Sequence, residues 1–132
     1  MKRASLLLLF MLFAANCFGA NALEELNKRR ARAGLPAFKP DAQLQAAAER
    51  SASAQARSGA MYHCLHIGSR SGVGYQWGAD PTGKQFNTCY AFGYQGGYAG
   101  AAAVVGPNGS TYYALDIRDT PSPVVVRKVE SK

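Results

Sequence analysis

His63-Cys64-Leu65-His66 places two imidazoles and a thiol within one short stretch, and Cys89 supplies a second thiol further on. Together they could offer zinc two nitrogen and two sulfur ligands, a chemically reasonable set. The spacing matches no familiar zinc motif, and oxidation would consume both thiols. In an exported chain the same two cysteines read as one disulfide, worth roughly 3 kcal/mol through the unfolded state. Two buried free thiols are the alternative, since geometry can forbid the bond.

Nucleophilic catalysis needs a nucleophile, a base and an orienting group within hydrogen-bond reach. Ser58, Ser69 and Ser71 lie near His63 and His66, and Asp80 is the nearby carboxylate. None of the serines sits in a nucleophile elbow, so nothing selects a Ser-His-Asp arrangement. Gly72-Val73-Gly74 followed by Gly78 is not a dinucleotide fingerprint, because the third glycine is misplaced and no helix clearly follows. Tyr75, Trp77, Tyr90, Phe92, Tyr94 and Tyr98 form an aromatic series on a Gly-rich stretch. Such rings stack on sugars, lipids or peptide side chains, or else fill the core. Asn108-Gly109-Ser110 matches a glycosylation sequon, but a turn needs those residues there anyway.

The elements that must position these groups follow from composition and pattern. The chain has 132 residues, 48% hydrophobic and 17% charged, which suits one globular domain. Lys2 and Arg3 precede an apolar run from Leu6 to Ala15, too short for a permanent membrane span. Ala20-Asn21-Ala22 completes a signal peptide over residues 1–22, leaving Leu23 first. Cleavage after Gly19 or Ala20 also fits. Ala14-Ala15-Asn16 makes a poor lipobox for Cys17. The expected location is secreted or periplasmic.

The formal net charge of +7 falls to +5 without Lys2 and Arg3. Lys28, Arg29, Arg30 and Arg32 cluster, either as a solvated helix face or as a surface for anionic partners. No RNA- or DNA-binding fold signature accompanies them, so nucleic acid is not an expected partner.

Leu23 to Ala33 reads as a helix, with acids first, bases last and Gly34 as its cap. Leu35 to Pro40 is an extended connector. Asp41 to Ser58 is a second helix, burying Leu44, Ala48, Ala52 and Gln55 on one face, and Gly59 ends it. The small residues there allow close packing on a sheet. From Ala60 to Gly97 no clear third helix appears, although Pro81 to Thr88 could form a short one. Tyr98 to Val105 and Ser110 to Arg118 form a hairpin about Gly106-Pro107-Asn108-Gly109. Thr120-Pro121-Ser122-Pro123 opens a tail over residues 120–132, in which Val124-Val125-Val126 could add an edge strand. The domain itself is expected over residues 23–119.

Leu26 to Pro36, with an Asn, a basic stretch and Gly-Leu-Pro, resembles the first helix and exit of CAP domains. That superfamily includes the cysteine-rich secretory, antigen 5 and pathogenesis-related proteins. Leu44, Ala48 and Ala52 match its second helix, and Gly59-Ala60-Met61-Tyr62-His63 matches that helix's end. The late hairpin resembles its closing strands. Gly72-Val73-Gly74-Tyr75 and Cys89 resemble a short bacterial exported branch.

The resemblance implies an α+β fold: an α-β-α sandwich with a small antiparallel sheet and a C-terminal β-hairpin. It also implies a cavity where two histidines and two acids hold a divalent cation. Only His63 falls on such a position, and no glutamate lies between Glu49 and Glu130. The cation tetrad therefore reads as lost, with no metal or cofactor expected.

The leading expectation is a monomeric binding domain. Its shallow cleft lies near His63, with Tyr75 and Trp77 as walls and His66 close by. Lipid, sterol-like or peptide ligands, or an anionic envelope component, follow from the family, with membrane contact only at its surface. Two alternatives stand beside it: a His63-dependent hydrolase or metal enzyme, and an adhesive surface protein using the basic helix face.

Overall fold

The computed structural model describes residues 21–123. The leader expected over residues 1–22 thus lies almost wholly outside the described residues, as does the strand considered at Val124-Val125-Val126. Helix α1 spans Asn21–Arg32, a two-residue strand β1 Lys39–Pro40, and helix α2 Ala42–Ser58. Strands β2 (Arg70–Gln76), β3 (Tyr98–Val105) and β4 (Thr111–Arg118) complete the order. Among the described residues, no helix is long and apolar enough to cross a membrane.

Helix α1 buries Leu23, Leu26 and Arg30, three positions on one stripe. It starts early enough to take in Ala22, which is also buried. Gly34 adopts φ 75°, and Leu35 N–H reaches the Arg30 carbonyl at 2.8 Å while Gly34 N–H reaches that of Ala31 at 3.0 Å. This pair of bonds is a Schellman cap, which glycine permits without strain.

Helix α2 begins where Asp41 accepts the Gln43 and Leu44 amides, both at 3.0 Å. It ends at Gly59 in the left-handed conformation. Its buried face is Leu44, Ala47, Ala48, Ser51, Ala52, Gln55 and Ala56. Asp41 also receives the Ser122 amide at 2.8 Å, and Gln43 Nε2 donates to the Pro123 carbonyl at 3.0 Å. The start of the expected tail is thus strapped to the helix N-terminus.

Burial works to raise the Asp41 pKa, but the amides of Ser122, Leu44 and Gln43 outweigh it and hold the carboxyl below its usual value. Stability from this cap is therefore present above the unfolded pKa of about 3.9 and is lost as pH falls through the lower folded value. Asp41→Ala is expected to cost about 1–2 kcal/mol in urea denaturation at pH 7. That deficit should shrink toward zero in strong acid.

The strand order is β1-β3-β4-β2. The β3–β4 hairpin and the β2–β4 pair are antiparallel. The expected all-antiparallel sheet needs one correction: β1 pairs parallel to β3, Lys39 with Tyr98 and Pro40 with Ala99. The connector between the helices runs along that edge, and Pro40 lacks the N–H to extend the ladder. The Gln45 side chain takes over, bonding Ala101 O at 2.8 Å and Ala101 N at 3.0 Å.

Strand residues alternate between faces, and paired residues share one. One face packs α1 and residues 80–97 over Ala99, Ala101, Tyr113, Leu115 and Ile117, with Phe38 and Phe86 in the same core. The other packs α2 through an alanine seam of Ala48, Ala52, Ala102 and Ala114. Helices thus cover both faces of the sheet, an α-β-α sandwich. The third helix considered over Pro81 to Thr88 does not form; that stretch is turns. The buried carboxylate of Asp80 organises it, accepting the Lys84 and Gln85 amides at 2.9 Å each.

Candidate functional site

Residues 60–69 leave α2 beside the hairpin turn, where Gly59 lies near Asn108. They then run along the α2 face of β2 to the far end of β4. There both oxygens of buried Asp116 accept backbone amides, from Ile67 and Gly68, at 2.8 Å each. Between these anchors, His63 Nδ1 lies 3.3 Å from Ser71 Oγ, and Cys64 Sγ lies 3.6 Å from Ser51 Oγ. His63, Cys64, His66, Ser71 and Asp116 line a shallow hollow against α2, with room for no more than about one water.

The hollow gathers reactive side chains without arranging them for a reaction. Among the described residues, no three of His, Cys, Asp and Glu come together around a point that could hold a metal ion. The zinc set of His63, Cys64, His66 and Cys89 is not assembled. Asp116 is spent on two amides and does not orient His63. Asp80, the first acid after the two histidines in sequence, serves the opposite face, where it accepts the Tyr113 hydroxyl at 2.6 Å. Burial first, and then this bond, push the Tyr113 pKa well above the ordinary phenol range.

The expected Cys64–Cys89 disulfide is corrected: both thiols are free. The reason is β2 itself. Gly72 pairs with Leu115 and so faces α1, and a Cβ on Gly72 would stand 2.2 Å from the Cys89 carbonyl. Cys89 therefore lies over that face, whereas Cys64 sits with Ser51 on the other. The Gly72-Val73-Gly74 pattern has the same origin. Gly72 and Gly74 are bare so that residues 87–89 can lie directly on the strand.

The basic cluster is corrected as well. Arg30 is buried, donating to the carbonyls of Pro36, Ala91 and Tyr94 at 2.9, 2.7 and 2.8 Å. Arg29 is half-buried, bonded to the Phe86 carbonyl with its guanidinium over Phe92. Lys28 and Arg32 alone stay exposed, and Lys28 pairs with Glu25 at 3.4 Å. Of the four, Arg32 is the exposed cation with no carboxylate beside it among the described residues.

Of the predicted site residues, His63 and His66 line the hollow, while Tyr75 and Trp77 do not. Tyr75 lies four residues along β2 from Ser71, about 13 Å away. It packs on Tyr112 and Trp77 at ring separations of 5.5 and 5.7 Å. Trp77 is 85% exposed. Sequence reasoning missed β2, although Ser71, Val73, Tyr75 and Trp77 alternate with Arg70, Gly72, Gly74 and Gln76.

The order helix, helix, then sheet strands, with His63 just past the second helix, has a counterpart among known families. A family model described as "Cysteine-rich secretory protein family", CAP, matches residues 23–114. The chain belongs to the CAP family. The match takes in both helices, β2, β3 and the residues 60–69 that carry His63. No curated protein matches the chain. In this CAP domain His63 lies beside Ser71 and shares its hollow with the buried, amide-bound Asp116, and among the described residues no group of carboxylates gathers about it.

Proposed function

We propose that this CAP domain is an exported binding domain that holds its ligand by surface contact along β2, without chemistry at His63. One observation carries the reading. Met61, Tyr62, Leu65, Ile67, Tyr75, Trp77 and Tyr90 are exposed large apolar side chains on β2 or the loops flanking it; only Val105 of that exposed set lies elsewhere. Exposed apolar side chains gathered around one strand favour an interaction surface there.

The hollow beside His63 does not enclose a ligand. Pockets that bury a small ligand measure about 300–1,000 Å³, far more than the hollow beside His63 offers. A sterol or acyl chain would have to lie on the surface. The leader-like residues 1–22 support a secreted or periplasmic location, where envelope components and other exported chains are the available ligands.

Trp77 is the chain's one tryptophan, so its emission reports directly on the proposed surface. Phosphatidylglycerol vesicles, lipopolysaccharide and a tryptophan-free peptide mixture are the probes. At least one should shift the emission to the blue at saturable concentration. Emission indifferent to all three would contradict the reading.

A further inference from the structure

β2 is an end strand of the sheet, and among the described residues no strand pairs with its outer edge. Among the described residues, no backbone hydrogen bond outside the β2–β4 ladder involves residues 70–76. Ser71 to Gln76 contains no Lys, Asp, Glu or Pro, the residues that usually block pairing at an edge.

The loops on either side hold a second feature. Leu65 and Tyr90 are the described non-glycine residues in the left-handed region, at φ 59° and 70°. Such backbones cost about 1–3 kcal/mol and concentrate at functional sites. Here core burial does not offset that cost, since both side chains are exposed. Leu65 belongs to the loop on the α2 face of β2, and Tyr90 follows Cys89 on the α1 face. Leu65 and Tyr90 thus belong to the loops that lie on opposite faces of β2.

We propose that β2 accepts an extended peptide as a fifth strand, its successive side chains resting alternately against Leu65 on one face and Tyr90 on the other. This rests on the surface-contact reading and names its partner. Main-chain N–H and C=O groups along an edge match another extended backbone, while flanking side chains select its residues. A lipid surface has no repeating donor and acceptor to meet them. Arg70 is the one charged residue of β2, so a peptide carrying acids rather than lysines suits the edge.

The probe is a displayed library of random dodecapeptides selected on the immobilised protein. Enriched clones should alternate apolar and polar or acidic residues. N-methylation of the consensus peptide at every second position should weaken binding at least tenfold, and at the intervening positions less than twofold, since alternate residues point toward β2. No enrichment over a blocked surface, or equal sensitivity at both sets of positions, would overturn the proposal. So would a dimer formed through β2 that excludes peptide. If phosphatidylglycerol vesicles shift Trp77 emission while no peptide is selected, the surface reading stands and the peptide falls. If none of the three probes shifts the emission and no peptide is selected, both fall.

Discussion

Arg30→Met is expected to lower the unfolding free energy by about 3 kcal/mol or more, because three carbonyls lose their donor at about 1–3 kcal/mol for each that is buried. The side chain ties three separate segments together: the exit of α1 at Pro36, and the loop carbonyls of Ala91 and Tyr94. Its guanidinium also lies 3.9 Å from the centre of the Phe38 ring. The described residues show one salt bridge, Lys28 with Glu25, so carbonyl dipoles and the ring hold Arg30 without a carboxylate. Burial lowers its pKa, yet a guanidinium stays charged near neutrality. Removing it leaves carbonyls unpaired and a gap beside Phe38. Arg30→Lys should recover little, because a single ammonium cannot reproduce a planar fork. Urea denaturation measures both; a loss below about 1 kcal/mol for Arg30→Met would contradict this account.

Gly100→Ala is the second large effect, about 3 kcal/mol. A Cβ there would stand 2.2 Å from Gln45 N and 2.3 Å from Gln45 Cα. Those are backbone atoms of α2, so relief means moving the whole helix off the sheet. Gly74→Ala meets the Asn87 carbonyl at 1.8 Å, a closer approach. That neighbour lies in a loop, however, and a smaller cost of about 1–2 kcal/mol is expected. Gly93 has nothing within 4 Å of its added Cβ and no left-handed φ, so Gly93→Ala should stay within about 0.5 kcal/mol. Equal losses at Gly100 and Gly93 would show that α2 does not pack as closely as described.

The helices and the hairpin were legible because each writes its period into the sequence. Leu44, Ala48 and Ala52 repeat at helical spacing, and their small size foretold the close approach that Gly100 completes. β2 was not legible. Its alternation is carried by Ser71, Val73 and Tyr75, and the glycines between them read as loop. The glycine face becomes intelligible only once residues 87–89 are seen lying on it. β1 has no local signal at all, being two residues defined by their partner.

Missing β2 had consequences for the site. With no strand between them, Cys64 and Cys89 counted simply as a pair. Asp116 was left out of the hollow because nothing showed residues 60–69 reaching β4. A carboxylate in line with Tyr112 and Ala114 on a buried strand was the available clue. Arg30 shares the stripe of Leu23 and Leu26, but within a run of bases it reads as one more solvated cation.

Binding to washed cell envelopes of the source organism tests the central claim most directly. The protein would be compared with its variants Leu65→Ser/Trp77→Ser and Val105→Ser, the latter removing a similar exposed apolar group away from β2. The account predicts saturable binding that falls at least tenfold in the double variant and is unchanged in Val105→Ser, with both variants folded as judged by circular dichroism. Full binding by the double variant, or equal weakening by both, would contradict it.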